Sequence, residues 1–227
     1  MNEPNANKML KKEILDRFNY RCEHRHNGWA HPECYKRDRG PEERIGCLDI
    51  ESSNLAANFG VMLSYAIKEV GKKVITDQAV LSIHDINTNT SDSRIVAKCV
   101  EQMRQYDRIV GHYSSRFDIP FIRTRALKWN IDFPPFGSIY HTDVWRIARA
   151  KLRLHSNRQG CVGEALTGKD IKTRIHPEIW AKVTMGSMAA RKKALAYIMD
   201  HNLKDVLQLE VNYLKLRQFV REGRQSI

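Results

Sequence analysis

From Arg44 onward, polar and apolar positions fall into blocks of two different periods. Ile45-Gly46-Cys47-Leu48-Asp49-Ile50 is a short apolar run of strand type, Asn54 to Asn58 is a turn, and Phe59 to Ile67 reads as a second strand. A third strand near Lys73 to Ile75 completes a predicted antiparallel meander. Ser93 to Tyr106 then spaces its apolar residues at helical intervals, Arg108 to His112 is a short strand, Ile119 to Trp129 a helix, and Ile139 to Thr142 a strand. The remainder is mostly helical and ends in one long segment from about Ser187 to Arg221. A meander followed by alternating helices and strands predicts an α/β fold, a mixed β-sheet flanked by helices. Upstream lie an amphipathic helix over residues 4–20, with Met9, Leu10, Ile14, Leu15 and Phe18 on one face, a Cys/His cluster from Cys22 to Cys34, and a charged connector from Lys36 to Glu43. The predicted organisation is therefore an N-terminal appendage, residues 1–43, and a main domain, residues 44–227.

Composition narrows the classes. The 227 residues are 42% hydrophobic and 8% aromatic, too apolar for a disordered chain and enough for a sizeable core. The longest uncharged stretch, Ser52 to Ile67, holds two Asn and three Ser, so no membrane span or membrane partner is expected. The N-terminus mixes acids and bases and reads as lacking a signal peptide. Five cysteines without regular spacing point to a reducing, cytoplasmic compartment rather than a disulfide scaffold. The net charge is +12, and its distribution is uneven: the excess of Lys and Arg over Asp and Glu is +1 in residues 1–43, +2 in 44–140 and +9 in 141–227. A basic final third suits a polyanion, because Lys and Arg neutralise phosphates and release counterions. A solubilising face is the alternative.

Three short motifs bring acids toward that charge. In Leu48-Asp49-Ile50-Glu51, side chains two apart on a strand leave the same face, so Asp49 and Glu51 emerge together while Leu48 and Ile50 enter the core. Two carboxylates so close repel unless a cation joins them. In Ile109-Val110-Gly111-His112-Tyr113-Ser114-Ser115-Arg116-Phe117-Asp118-Ile119-Pro120-Phe121, an apolar strand runs through a polar turn into a helix with Pro in its first turn. Asp118 is either the N-cap of that helix or a carboxylate at the carboxyl end of the sheet. In the late helix, His201 and Asp205 are four apart and share a face, as an ion pair or as an imidazole beside a metal-binding acid.

Taken together, these segments resemble the DEDD superfamily of 3′–5′ exonucleases, built on a ribonuclease H-like fold. His141-Thr142-Asp143-Val144-Trp145, Leu154-His155-Ser156-Asn157-Arg158 and Lys172-Thr173 are similar to the branch described as ribonuclease H-like predicted exonucleases of phages and prokaryotes. The resemblance implies that Asp49, Glu51, Asp118 and Asp205 bind two divalent metals, Mg²⁺ or Mn²⁺, and hydrolyse DNA or RNA from single-stranded or 3′ ends. One DEDD branch carries Tyr four residues before its last Asp, the other His five before. Here His201 stands four before Asp205, a histidine at the tyrosine spacing, with Tyr197 a turn upstream. His201 is the candidate that orients or deprotonates the attacking water. Arg153, Asn157, Arg158, Lys169, Lys172 and Arg174 are candidates for the phosphate backbone, and His112 and Tyr113 for stacking on a terminal nucleotide. Phe117 reads as core. A structure-specific endonuclease on the same fold, or a nucleic-acid-binding protein with an impaired nuclease site, are the alternative functions.

The Cys/His cluster, Cys22-Glu23-His24-Arg25-His26-Asn27-Gly28-Trp29-Ala30-His31-Pro32-Glu33-Cys34, offers five soft ligands in thirteen residues. One structural Zn²⁺ needs four, and a small loop-rich segment gains folding energy from that closure. Cys22, His26, His31 and Cys34 are the favoured set, with His24 as the substitute.

Overall fold

The computed structural model describes residues 14–39, 43–86, 91–168, 177–220 and 225–227. The chain divides after Glu43 into two compact units.

In the first unit, residues 14–19 are helical and a looped segment leads to helix α1 (Pro32–Arg39). Residues 4–13 of the predicted amphipathic helix, and the candidates Lys169, Lys172 and Arg174, lie outside the described residues. Ile14, Leu15 and Phe18 are exposed; among the described residues of this unit the buried hydrophobic ones are Tyr20, Cys22, Cys34 and Tyr35. The two tyrosine rings meet edge to face with centroids 5.3 Å apart. Tyr35 Oη donates to Asp16 at 2.7 Å and Tyr20 Oη donates to Asp38, so both phenols are satisfied where they are buried.

The second unit is a five-stranded mixed sheet in the order β3-β2-β1-β4-β5, formed by β1 (Ile45–Ser52), β2 (Met62–Glu69), β3 (Asp77–Val80), β4 (Arg108–Gly111) and β5 (Tyr140–Asp143). β1, β2 and β3 pair antiparallel as the meander, and β1, β4 and β5 run parallel. The third strand lies at Asp77–Val80, not at Lys73 to Ile75. Gly71, at φ 84°, turns the chain there, and the Lys72 N–H closes the turn onto the Glu69 carbonyl at 3.1 Å, so pairing with β2 resumes only later.

Helices α2 (Ile83–Ile86), α3 (Ser93–Met103), α4 (Asp118–Lys128), α5 (Val144–Lys151), α6 (Gln159–Thr167), α7 (Pro177–Met185) and α8 (Met188–Leu216) flank the sheet. The period-2 pattern of β1 divides the core. Leu48 and Ile50 pack with α3 and α4 residues such as Val96, Cys99 and Ile122. Cys47, with Val110 of β4, packs against Val206, Leu209 and Tyr213 of α8. Asp49 and Glu51 belong to the Cys47 face by the same alternation, so they point toward α8.

Two polar devices fix the flanking helices. Asp92 is fully buried and accepts from Arg125 Nε (2.8 Å) and Nη2 (2.5 Å), Trp129 Nε1 (2.8 Å) and the Met62 N–H (2.8 Å), tying the start of α3 to α4 and β2. On the opposite face, Gln159 Nε2 donates to the Asp205 carbonyl (2.7 Å), Asn212 Nδ2 to the Gln159 carbonyl (3.2 Å), and Gln208 Nε2 to Asn212 Oδ1 (2.9 Å). Gly163 allows α6 this close to α8, since a Cβ there would lie 2.4 Å from Gln208 Nε2. No helix among the described residues is long and apolar enough to cross a membrane.

Candidate active site

The parallel strands β1, β4 and β5 end at Ser52, Gly111 and Asp143, and β1, the segments leaving β1 and β4, and α8 build a cleft of about 490 Å³. Asp49, Glu51, Asp118 and Asp205 all line it. Their positions follow from local rules. Asp49 and Glu51 are two apart on β1, and Asp118 opens α4. Asp205 shares a face of α8 with His201 and Asn202, which sit one helical turn earlier.

Asp118 is not an N-cap. Phe117 occupies that position without a side-chain bond, and Asp118 instead turns its Oδ1 to the Ile50 N–H at 3.2 Å. Burial pushes its carboxyl up to about 7, and the charges of Asp143 and Asp205 add to the shift, while the N–H groups of Ile50 and of its own backbone oppose it. A buried acid among acids is the environment a hard cation relieves, and the donor set is all carboxylate oxygen but for one imidazole. Glu51, His201 and Asp205 each bring a ligand atom within 4.8 Å of the others, close enough for a shared ion. The four carboxylates thus fit divalent cations.

His201 is buried, with Nδ1 3.6 Å from Asp205 Oδ1. It lies beside Asp205 and is not part of the cleft wall. Next to it Asn202, 0% exposed, donates from Nδ2 to Asp49 Oδ2 at 2.7 Å. Asn202 thereby fixes the rotamer of a carboxylate on another element.

The loop from β4 to α4 is clamped by Asp143. Its carboxylate accepts from the Tyr113 N–H (2.8 Å), the Ser115 N–H (3.1 Å) and Ser115 Oγ (2.5 Å), and it caps α5 through the Trp145 N–H (3.1 Å). Tyr113 sits at φ 63°, a backbone region that non-glycine residues seldom occupy, and this clamp holds it there. Gly111 starts the turn because a Cβ would come 2.3 Å from Ser114. Ser114 Oγ meets Nε2 of the buried His141 at 2.9 Å, and burial lowers that imidazole to about 4.

Of the predicted nucleic-acid contacts, His112 and Tyr113 line the cleft. His112 Nε2 donates to the Asn157 carbonyl at 2.9 Å, and the half-exposed Tyr113 ring meets Trp145 with centroids 5.1 Å apart. Arg153 and Arg158 are exposed and Asn157 is half-buried, and none of the three is in the cleft wall. The guanidinium-bearing residue of the wall is Arg116, and the wall also includes Leu55, 83% exposed, and the half-buried Phe117. Arg116, Leu55, Asn202 and Asp143 were not singled out from sequence. Arg116 and Asp143 belong to the sequence motifs given above and Asn202 follows His201 directly, whereas Leu55 carries no local signal.

In the first unit, the cluster that comes together is Cys22, His24, His31 and Cys34. The favoured His26 stands outside it. The Cys22 N–H bonds the His26 carbonyl (3.0 Å) and Arg25 reverses the chain at φ 63°. That reversal separates the two rings: His24 turns to the sulfurs, while His26 packs on His31 with centroids 4.2 Å apart.

Residues 46–216 match the family model of the RNase H superfamily, and the chain belongs to that superfamily. No curated protein matches it. Among solved structures it is similar to the family B DNA polymerase from the hyperthermophilic archaeon Pyrobaculum calidifontis, at a TM-score of 0.57 and 18% identity, covering 77% of this chain. This chain spans 25% of that polymerase, and the likeness is one of fold.

Proposed function

We propose that the protein is a metal-dependent nuclease of the 3′–5′ exonuclease type, hydrolysing phosphodiester bonds of DNA or RNA at single-stranded 3′ ends. The observation that carries this reading is the convergence of Asp49, Glu51, Asp118 and Asp205, from three distant segments, on one cleft. Four mutually repelling acids are costly to hold together, and a site for Mg²⁺ or Mn²⁺ and a phosphate gives them a common task.

In this reading Asp49, Glu51, Asp118 and Asp205 would hold two divalent cations, whose charge lowers the pKa of water and neutralises the scissile phosphate. Asn202 keeps Asp49 oriented, and the Ile50 N–H steadies the Asp118 carboxylate once it ionises. A water between Glu51 and Asp205 would have the His201 imidazole within reach as its proton acceptor. Arg116 binds a backbone phosphate. Exposed Leu55 and the Tyr113 ring present faces to unpaired bases, which favours single strands over a closed duplex.

The test uses 5′-labelled single-stranded DNA and RNA oligonucleotides with Mg²⁺, Mn²⁺ or EDTA, beside Asp49→Ala. The expected result is a metal-dependent ladder shortening from the 3′ end, absent in the variant. Cleavage of circular strands would instead establish an endonuclease, and salt-sensitive binding without turnover a binding protein.

A further inference from the structure

We infer that the first unit is a zinc-folded module in which Cys22 Sγ, His24 Nδ1, His31 Nδ1 and Cys34 Sγ hold one Zn²⁺ in a closed tetrahedron. The four cross-distances are Cys22–His31 3.6 Å, Cys34–His24 3.7 Å, Cys22–His24 3.8 Å and Cys34–His31 3.8 Å. With Zn–S about 2.3 Å and Zn–N about 2.0–2.1 Å, a tetrahedron has sulfur–nitrogen edges of about 3.6 Å. All four edges are therefore present within a few tenths of an ångström.

Hydrogen bonding does not account for the arrangement. Each Nδ1 carries one lone pair or one proton in the ring plane, so each imidazole makes one linear bond, leaving two of the four contacts without a proton to share. A central cation satisfies all four at once. Both histidines present the same nitrogen, Nδ1, and the Glu23 carboxylate stands 3.9 Å from the other nitrogen of His24. Glu23 is in turn held by Arg37 at 3.1 Å.

The core of this unit gives the metal its task. Among its described residues, two of the four buried hydrophobic ones are the thiols themselves, leaving Tyr20 and Tyr35 as the other two. So small a core does not fold a segment of this length without a further link, and zinc closure supplies it. The site has four protein ligands and uses no carboxylate, so it is structural.

The full chain, produced without an affinity tag that binds metal, is assayed for zinc by mass spectrometry and for zinc released by a thiol-specific mercurial. Metal in the acidic cleft does not respond to the mercurial. We expect one releasable zinc per chain. Replacement by Co²⁺ gives the absorption of a tetrahedral site with two thiolates. His24→Ala loses the releasable zinc, whereas His26→Ala keeps it. After chelation, limited proteolysis cuts within residues 14–39 and leaves residues 44–227 intact. Zinc well below one per chain with Cys22 and Cys34 joined in a disulfide or both titrating as free thiols would overturn the site, and loss in His26→Ala with retention in His24→Ala would overturn the ligand set.

Discussion

Asp118→Asn should make the metal-free protein more stable while abolishing its activity. In the unfolded chain an aspartate releases its proton near the usual 3.8, whereas burial among Asp143 and Asp205 holds the folded Asp118 proton until about 7. Below 3.8 both states are protonated and the site costs nothing. As pH rises the unfolded state ionises first, so stability is lost progressively until the folded group ionises too. Holding the proton from 3.8 until about 7 costs the folded state ~4 kcal/mol at pH 8. Asparagine escapes that penalty and keeps an oxygen for the Ile50 N–H. Its amide leaves a buried donor poorly matched, which costs about 1–2 kcal/mol. The net gain at pH 8 is then ~2–3 kcal/mol, or about 5–10 °C in Tm for a domain of this size.

Calorimetry of both proteins in EDTA at pH 8 and pH 4.5 checks the argument. At pH 4.5 the penalty on wild type falls to about 1 kcal/mol, so the advantage of the variant should vanish. His141 works in the opposite direction. Its folded value near 4 lies below the ordinary 6.5, so its contribution is present above 6.5 and lost as pH falls toward 4. Both proteins share that loss, and it cancels in the comparison. Saturating Mn²⁺ should erase the variant's advantage at pH 8, since wild type alone keeps the complete ligand set; a hundredfold excess over Kd adds about 2.7 kcal/mol to it. A Tm difference that is equal at the two pH values, or a wild type that is the more stable at pH 8 in EDTA, would refute the reasoning.

Other changes test neighbouring parts of the site and fold. His201→Gln should lower kcat much more than it weakens nucleic-acid binding, because the proton acceptor is gone; unchanged kinetics would assign His201 to packing alone. Asp143→Ala strips acceptors from Tyr113 and Ser115, so kcat should drop at least about tenfold with stability falling by about 1–3 kcal/mol, Asp143→Asn should restore part of both, and wild-type kinetics in the alanine variant would break the positioning argument. Arg116→Ala should weaken nucleic-acid binding and lower the salt slope by about one phosphate contact, and an identical slope in filter-binding titrations would remove Arg116 from the backbone path. Arg125→Ala leaves Asp92 charged and buried, with a loss of about 3–5 kcal/mol in urea unfolding; a loss under 1 kcal/mol would mean that the pair is not what ties α3 to α4.

What the chain states locally and what it states only when folded divide cleanly at this site. Asp49 and Glu51 were legible because period-2 alternation assigns a face from four residues, and His201 with Asp205 because helical spacing does the same. The sheet was legible for a similar reason, and its one misplaced strand followed a glycine turn whose positive φ sequence spacing does not report. The supporting groups obey no such local rule. Asn202 reaches Asp49 across 153 residues, Gln159 reaches the Asp205 carbonyl across 46, and Asp143 reaches back 30 to Tyr113. Each is an ordinary polar residue whose role exists only after the sheet has brought its partner within 3 Å. The replacement of the favoured His26 by His24 has the same origin, since a single left-handed residue, Arg25, decides which ring reaches the sulfurs. It follows that substitutions at Asn202 and Asp143 should be harder to anticipate from sequence than those at the carboxylates, and should impair orientation of the site before they impair folding. Asn202→Ala makes the distinction measurable: the Asp49 carboxylate remains but is no longer held. Cleavage should therefore fall while Mn²⁺ still stabilises the protein, whereas Asp49→Ala should lose both responses.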